Sequence, residues 1–153
     1  MTKSFDEIDR KILAELTQNA RIPAKTLAKK INCHPNTTLQ RLRKLEKSGA
    51  IKKYTAQIDY QKVDYDLHVI IMMKARKGRA GDLAQLKDLL NIKEIEALYA
   101  TTGLWDLMGT VRVRNREHLL EVIQRIGSTP LITKTASHLV LFTYKDPQDF
   151  NPF

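Results

Sequence analysis

At 153 residues, 42 % of them apolar, the chain can bury one compact core or two small ones and is not a disordered coil. Its formal net charge of +9 favours an anionic partner. One cysteine excludes an intrachain disulfide and a four-cysteine metal centre, the 4 histidines lack ligand spacing, and the longest apolar run, Val69 to Met73, is too short to cross a bilayer.

The polar start MTKSFDEIDRK has no signal-peptide pattern, so a cytoplasmic location with no membrane partner is expected. The charge is uneven. Residues 1–60 hold 13 Lys and Arg against 6 Asp and Glu, a net of +7, and residues 61–153 carry only +2. The basic character belongs to the first part of the chain.

Residues 6–18 place Ile8, Ile12, Leu13 and Leu16 at helical spacing, with Asp6, Glu7 and Asp9 crowding the start, where the helix dipole favours acids. Asn19 to Arg21 stop that helix, and Pro23 opens a short second one with Leu27, Ala28 and Ile31 on one face. A tight break at Asn32-Cys33 leads to a third helix with Pro35 at its first position and Gly49 as its left-handed cap. Thr38, Leu42 and Leu45 form its buried stripe. Residues 50–59, AIKKYTAQID, have strand character and suggest a short hairpin or ribbon.

Two short helices, a tight turn and a basic helix make a helix-turn-helix pattern. On the third helix Asn36, Thr37, Gln40, Arg43, Lys44 and Lys47 fall away from the apolar stripe, Arg41 lies at its border and Leu39 on its flank. A solvated face would show the same cations; the preceding helix pair and the +7 charge favour DNA instead. Lys29, Lys30, Lys47, Lys52 and Lys53 are the expected phosphate contacts. Asn36, Thr37, Gln40, Arg41 and Lys44 are the candidates for base edges, since Gln and Asn pair bidentately with adenine and Arg or Lys with guanine.

Residues 61–66 read as a linker, dividing a DNA-binding domain at 1–60 from a second domain at 67–153. Beyond it come a strand over 68–77, a helix over 81–90 and strands over 95–102 and 107–113. A helix over 116–126, with Leu119, Leu120, Ile123 and Ile126 apolar, precedes a last strand over 133–143. The order βαββαβ is the split-βαβ, ferredoxin-like arrangement, so the class is α+β. The tail from Asp146, with two prolines, is expected to lie over the surface or a partner.

Three segments carry a resemblance: DEIDRKILAELTQNARIP at 6–23, RLRKLEKSGAIKKYTAQID at 41–59 and TTGLWDLMGTVRV at 101–113. With these in order, the chain resembles the Lrp/AsnC (feast/famine) regulators over nearly its whole length. The resemblance implies a winged helix-turn-helix ahead of a ligand-sensing, oligomerising domain. It also implies homodimers that assemble to tetramers or octamers, and an amino acid as effector with no required cofactor. It points to Thr101, Thr102, Gly103, Leu104, Trp105 and Asp106, with Thr135, Ala136 and Ser137, as the effector site, Asp106 accepting from the ligand's ammonium. The same loop also reads as a plain hairpin turn with Trp105 as interface packing. Two departures stand out: His34 replaces the usual Ser cap, and Leu104 replaces the first acid of the family's Thr-Gly-Asp-x-Asp loop.

A nucleoid-organising protein of low specificity would share the helix-turn-helix. A decarboxylase-like enzyme of tetrapyrrole synthesis would share the second fold. No nucleophile–base pair, metal cluster or phosphate-cradling glycine loop is visible in the sequence, so an enzyme is not expected.

Overall fold

In a computed structural model that describes residues 5–76, 83–146 and 151–152, Asp6 opens the first helix, α1 (Glu7–Gln18). Its carboxylate accepts from Asp9 N at 2.9 Å and so satisfies one of the orphan donors of the first turn. Helix α2 (Ala24–Lys30) follows, with Pro23 as its N-cap rather than its first helical residue, as the extended ψ of 140° shows. Asn32 takes a left-handed φ of 53° in the turn, a conformation Asn tolerates, and Cys33 N closes that turn on Ala28 O at 2.9 Å. Helix α3 (Pro35–Lys47) begins with Pro35 in the first turn and ends before Gly49, whose φ of 77° would strain any residue with a Cβ.

These three helices enclose a small core of Ile12, Leu27, Ile31 and Leu45, with Ile8, Leu13, Leu16, Leu42, Cys33 and Ile51 packed around it. The contacts group Met1–Ile58 and Tyr144–Phe153 as one unit and Asp59–Thr143 as another. Within the first unit Pro152 lines a shallow hollow beside Phe5 and Ala14.

The ribbon expected over 50–59 does not form: no strand occurs there among the described residues, and positions 52–59 are exposed. Ile51 alone turns inward, its N–H bonded to Leu45 O at 3.2 Å. A two-stranded ribbon without a buried face is marginal in water, so alternation alone does not hold this segment as a strand.

The expected linker is also more structured than its composition suggests. Tyr60–Val63 form a 3-10 turn closed by Asp64 in the left-handed region. Arg112 lies 4.5 Å from the Tyr60 ring centroid, and Arg114 lies 5.6 Å from that of Tyr65, two cation–π contacts that fix the turn to the second unit.

That unit runs β1 (Leu67–Ala75), α4 (Leu83–Leu90), β2 (Ile95–Ala100), β3 (Leu107–Val113), α5 (Arg116–Gly127), β4 (Ile132–Leu139). The four strands form one antiparallel sheet in the order β2-β3-β1-β4. Strict alternation buries Val69, Ile71, Met73 and Ala75 from β1 and Leu107, Val111 and Val113 from β3. Leu86 and Leu89 of α4 and Val122 and Ile126 of α5 complete a single cluster on that face.

The expected apolar side of α5 shifts by a step: Val122 is buried, whereas Leu120 is exposed. Leu90 of α4 is exposed as well. The start of the expected α4, at Gly81 and Asp82, lies outside the described residues. Strand β4 ends at Leu139, short of the expected Thr143, and leaves Leu141 and Phe142 exposed beyond it.

Candidate functional site

The recognition-type helix starts with an unusual cap. His34 is a weak N-cap by residue type, yet its Nδ1 accepts from Asn36 N at 3.3 Å, so the imidazole supplies the acceptor that Ser would. Thr38 closes the same turn by donating its hydroxyl to His34 O at 3.1 Å. Thr38 and Leu45 are fully buried and Leu42 half-buried, as the stripe requires.

On the opposite side Asn36, Gln40, Arg43, Lys44 and Lys47 are exposed, and Thr37 is half-buried beside them. Leu39 is half in and half out on the flank. Lys29 and Lys30 are exposed at the end of α2; Lys30 Nζ also lies 2.6 Å from Glu15, tying α2 to α1. Lys52 and Lys53 are exposed just past the Gly49 cap. Tyr54, the next residue, donates to Glu46 at 2.8 Å; burial first and this bond second push its phenol up to about 12.

Arg41 departs from its expected place among the base-edge candidates. Its Nη1 donates to Asp6 and, at 3.2 Å, to Asp9 Oδ1, so the guanidinium points back onto α1. The Asp9 side chain is 1 % exposed, and Lys44 Nζ approaches its other oxygen at 3.8 Å. The Asp6 carboxyl is held below its ordinary value by the Asp9 amide first and by Arg41 next, and the Asp6 and then the Asp9 carboxylate raise Arg41 above its own. Sequence reasoning treated Asp9 as a dipole-favoured acid. A helical wheel held the missed signal, because Asp9 stands three residues before Ile12 and four before Leu13, on the apolar side.

In the second unit the loop Thr101 to Asp106 joins β2 to β3. Gly103 sits at its tip with φ 100°, open to a residue without Cβ and strained for others. Thr101 Oγ1 donates to Trp105 O at 2.9 Å, and Thr101 N donates to Asp106 O at 2.9 Å, which closes the turn. Thr102 and Leu104 are exposed, and Trp105 is half-buried with Lys134 Nζ 5.9 Å from its ring centroid.

Asp106 already has partners. Its Oδ2 accepts from Ala75 N at 2.9 Å, and its Oδ1 lies 3.2 Å from Lys74 Nζ, which also donates to Leu104 O at 2.8 Å. The Ala75 amide, ahead of Lys74, holds this carboxyl below its ordinary value against the opposing effect of burial. Asp106, the expected acceptor for a ligand's ammonium, is held in the structure by Lys74 and the β1 backbone and anchors the loop.

Thr135 pairs with Met73, the residue that also pairs with Leu107 at the loop's end, so the loop and Thr135 flank one stretch of β1. Ser137 pairs with Ile71, two residues further from the loop. The alternation of β1 placed Lys74 on the face away from the core, and nothing near it in sequence pointed to position 106.

A second ionic cluster was not foreseen. Glu94, 6 % exposed, accepts from Arg125 at 3.0 Å and lies 3.2 Å from His118 Nε2. Burial pushes its carboxyl up, but its own amide, His118 and Arg125 together outweigh that and leave it lowered. The pair ties the residue before β2 to α5 and belongs to the frame of the unit.

The AsnC-type helix-turn-helix domain model matches residues 5–46, and the Lrp/AsnC ligand binding domain model matches residues 68–150. The chain is 34 % identical over 146 residues to the HTH-type transcriptional regulator FL11 of Pyrococcus horikoshii, covering 95 % of each. Escherichia coli AsnC superposes with a TM-score of 0.84 at 28 % identity over 94 % of this chain and 96 % of that one. The feast or famine regulatory protein of Mycobacterium tuberculosis complexed with L-methionine gives 0.87 at 26 % identity over 97 % and 100 %.

Proposed function

The chain belongs to the Lrp/AsnC family of helix-turn-helix transcription regulators, and from that premise we propose that α3 reads duplex DNA while an amino acid tunes the outcome through the β2–β3 loop. The observation that carries the reading is the two-sidedness of α3: Thr38 and Leu45 buried, Asn36, Gln40, Arg43, Lys44 and Lys47 exposed on the other flank. Asn36, Thr37, Gln40 and Lys44 meet base edges; Lys29, Lys30, Arg43, Lys47, Lys52 and Lys53 meet phosphates.

Residues 1–60 act as the DNA-binding domain, and residues 67–153 as the sensing and assembling one. The effector is an amino acid, as the L-methionine complex of the mycobacterial relative suggests. Thr101, Thr102, Gly103, Leu104, Trp105, Thr135 and Ser137 surround it, and Asp106 with Lys74 sets the loop. β4 is an edge strand, and exposed Leu139 at its end with Leu141 and Phe142 just beyond it make a surface suited to a second copy of this chain. A homodimer then presents two α3 helices to half-sites about one helical turn apart, or a multiple of it. Further pairing would give tetramers or octamers.

Selection of duplexes from a random pool, with and without each amino acid, tests this. Enrichment of a two-fold-symmetric site whose recovery changes with one amino acid is the expected result. Uniform recovery of all sequences would replace it with a nucleoid-organising role, and no recovery at low salt would overturn it.

A further inference from the structure

The geometry points to Asp9, with Asp6 beside it, as positioning residues for DNA recognition: they hold Arg41 on α1 and off the phosphates, and so fix the rotation at which α3 meets a duplex. This rests on the reading of α3 as the DNA-contacting helix.

Four cations line α3: Arg41, Arg43, Lys44 and Lys47. Three are exposed, whereas the Arg41 side chain is 28 % exposed and turned back. Asp9 explains why. A buried carboxylate is tolerated only with hydrogen-bonded counter-charge. Asp9 Oδ2 has no hydrogen-bond donor among the described residues, and Lys44 stands 3.8 Å away, too far for one. The directional bond on this carboxylate from α3 is therefore the one Arg41 makes to Oδ1 at 3.2 Å. Arg41 cannot swing to a phosphate without orphaning Asp9.

Asp6 adds the second constraint. Arg41 Nη1 has two N–H groups, and it donates to Asp6 and to Asp9, so both are used. The planar guanidinium makes this a constraint on angle as well as distance, which a flexible ammonium would not supply. Residue 41 is one position from Gln40 and four from Thr37, so an error in its rotation is passed directly to the two side chains aimed at base edges.

The test uses the full chain, a duplex recovered by selection and a scrambled duplex of equal length, each titrated over a range of salt. Arg41→Gln is expected to keep the wild-type slope of log affinity against log salt while losing about tenfold in preference for the selected duplex. Arg41→Lys keeps the charge but not the fork, and is expected to keep the slope and lose part of the preference. Asp6→Asn preserves the cap of α1, since Asn caps as well as Asp, and removes only the charge. It is expected to leave the guanidinium held by Asp9 alone, to keep the slope, and to lose part of the preference for the selected duplex.

Asp6 is exposed, so this variant stands even where Asp9→Asn does not fold. A slope flattened by about 0.9 in Arg41→Gln would show the guanidinium on a phosphate and overturn the inference. Unchanged slope and unchanged preference would overturn it too, reducing the cluster to a surface ion pair. Wild-type protein that ignores duplex DNA at low salt overturns the DNA reading itself, a different failure.

Discussion

The two units of this chain are held by different means. The first gathers its helices around four buried aliphatic side chains and adds a buried carboxylate bridged to a guanidinium. The second closes a four-stranded sheet under two helices with, among the described residues, fourteen buried apolar residues in one cluster. A unit with little apolar area to bury leans on directional contacts, which leave long cations on its outer face. A unit with a continuous core is free to present loops and an edge strand.

Core truncation should break that comparison most visibly. Ile71→Ala, in the centre of β1, is expected to cost about 3–4 kcal/mol, and Ile12→Ala, in α1, about 3 kcal/mol. Trp105 is the only tryptophan and lies in the second unit, so its fluorescence follows that unit during urea unfolding. Ile71→Ala should move the fluorescence midpoint. Ile12→Ala should move the helical circular-dichroism signal and leave the fluorescence midpoint in place. Equal displacement of both signals by Ile12→Ala would mean one cooperative transition and end the distinction.

Gln40→Ala should sharpen it on the functional side, costing about 1–3 kcal/mol at one base step and leaving the others alone. Competition binding against single-base variants of the selected duplex reads this; equal weakening on every duplex would make Gln40 a backbone contact.

Alkali should act through the first unit. Tyr54 has its folded pKa raised to about 12 against an ordinary 10, so the contribution is complete below pH 10 and lost as pH rises through 10 to 12. Tyr54→Phe should remove that dependence from the circular-dichroism melt between those values. Acid should act on both units. Asp6 and Asp106 are each lowered from 3.8, so their contributions are complete above that value and vanish as pH falls below it through the lowered folded value. Asp106→Asn should blunt only the acid response followed at Trp105.

The smallest effect belongs to His34→Ser, expected to stabilise α3 by a few tenths of a kcal/mol, about the difference between a poor and a good cap partly offset by the existing bond. An equal melting temperature for the two proteins would show that the imidazole already caps fully.

Much of this architecture was legible because it follows from periodicity. The stripe Thr38, Leu42, Leu45 and the alternation over 69–75 each name a buried face without help from distant residues. The cap at Gly49 was legible for a local reason too. What escaped the sequence depends on partners far along the chain. Arg41 finds α1 thirty-two residues earlier at Asp9, and Lys74 finds Asp106 thirty-two residues later. The 50–59 segment misled in the opposite sense: its composition suits a strand, but no neighbour among the described residues offers it a ladder.

The join between Lys74 and Ala75 has a structural consequence. There the pairing of β1 with β4 slips, Lys74 opposite Lys134 and Ala75 opposite Ile132, so Thr133 has no counterpart across the ladder. The amide of Ala75 goes to Asp106 instead, and Thr133 donates its hydroxyl to Lys74 O at 3.1 Å. A single carboxylate thus stands in for a missing rung. Inserting one residue resets parity, which is how Ile132 comes to be buried while Thr133 and Lys134 face outward. Deleting Thr133 would leave Lys134 opposite Lys74 and Ile132 opposite Ala75 in an unbroken ladder, with Ile132 still on the core face and Lys134 still turned outward. The extra residue is what the edge could lose without changing which side chains meet water, whereas losing Ile132 or Lys134 instead would disturb that sidedness.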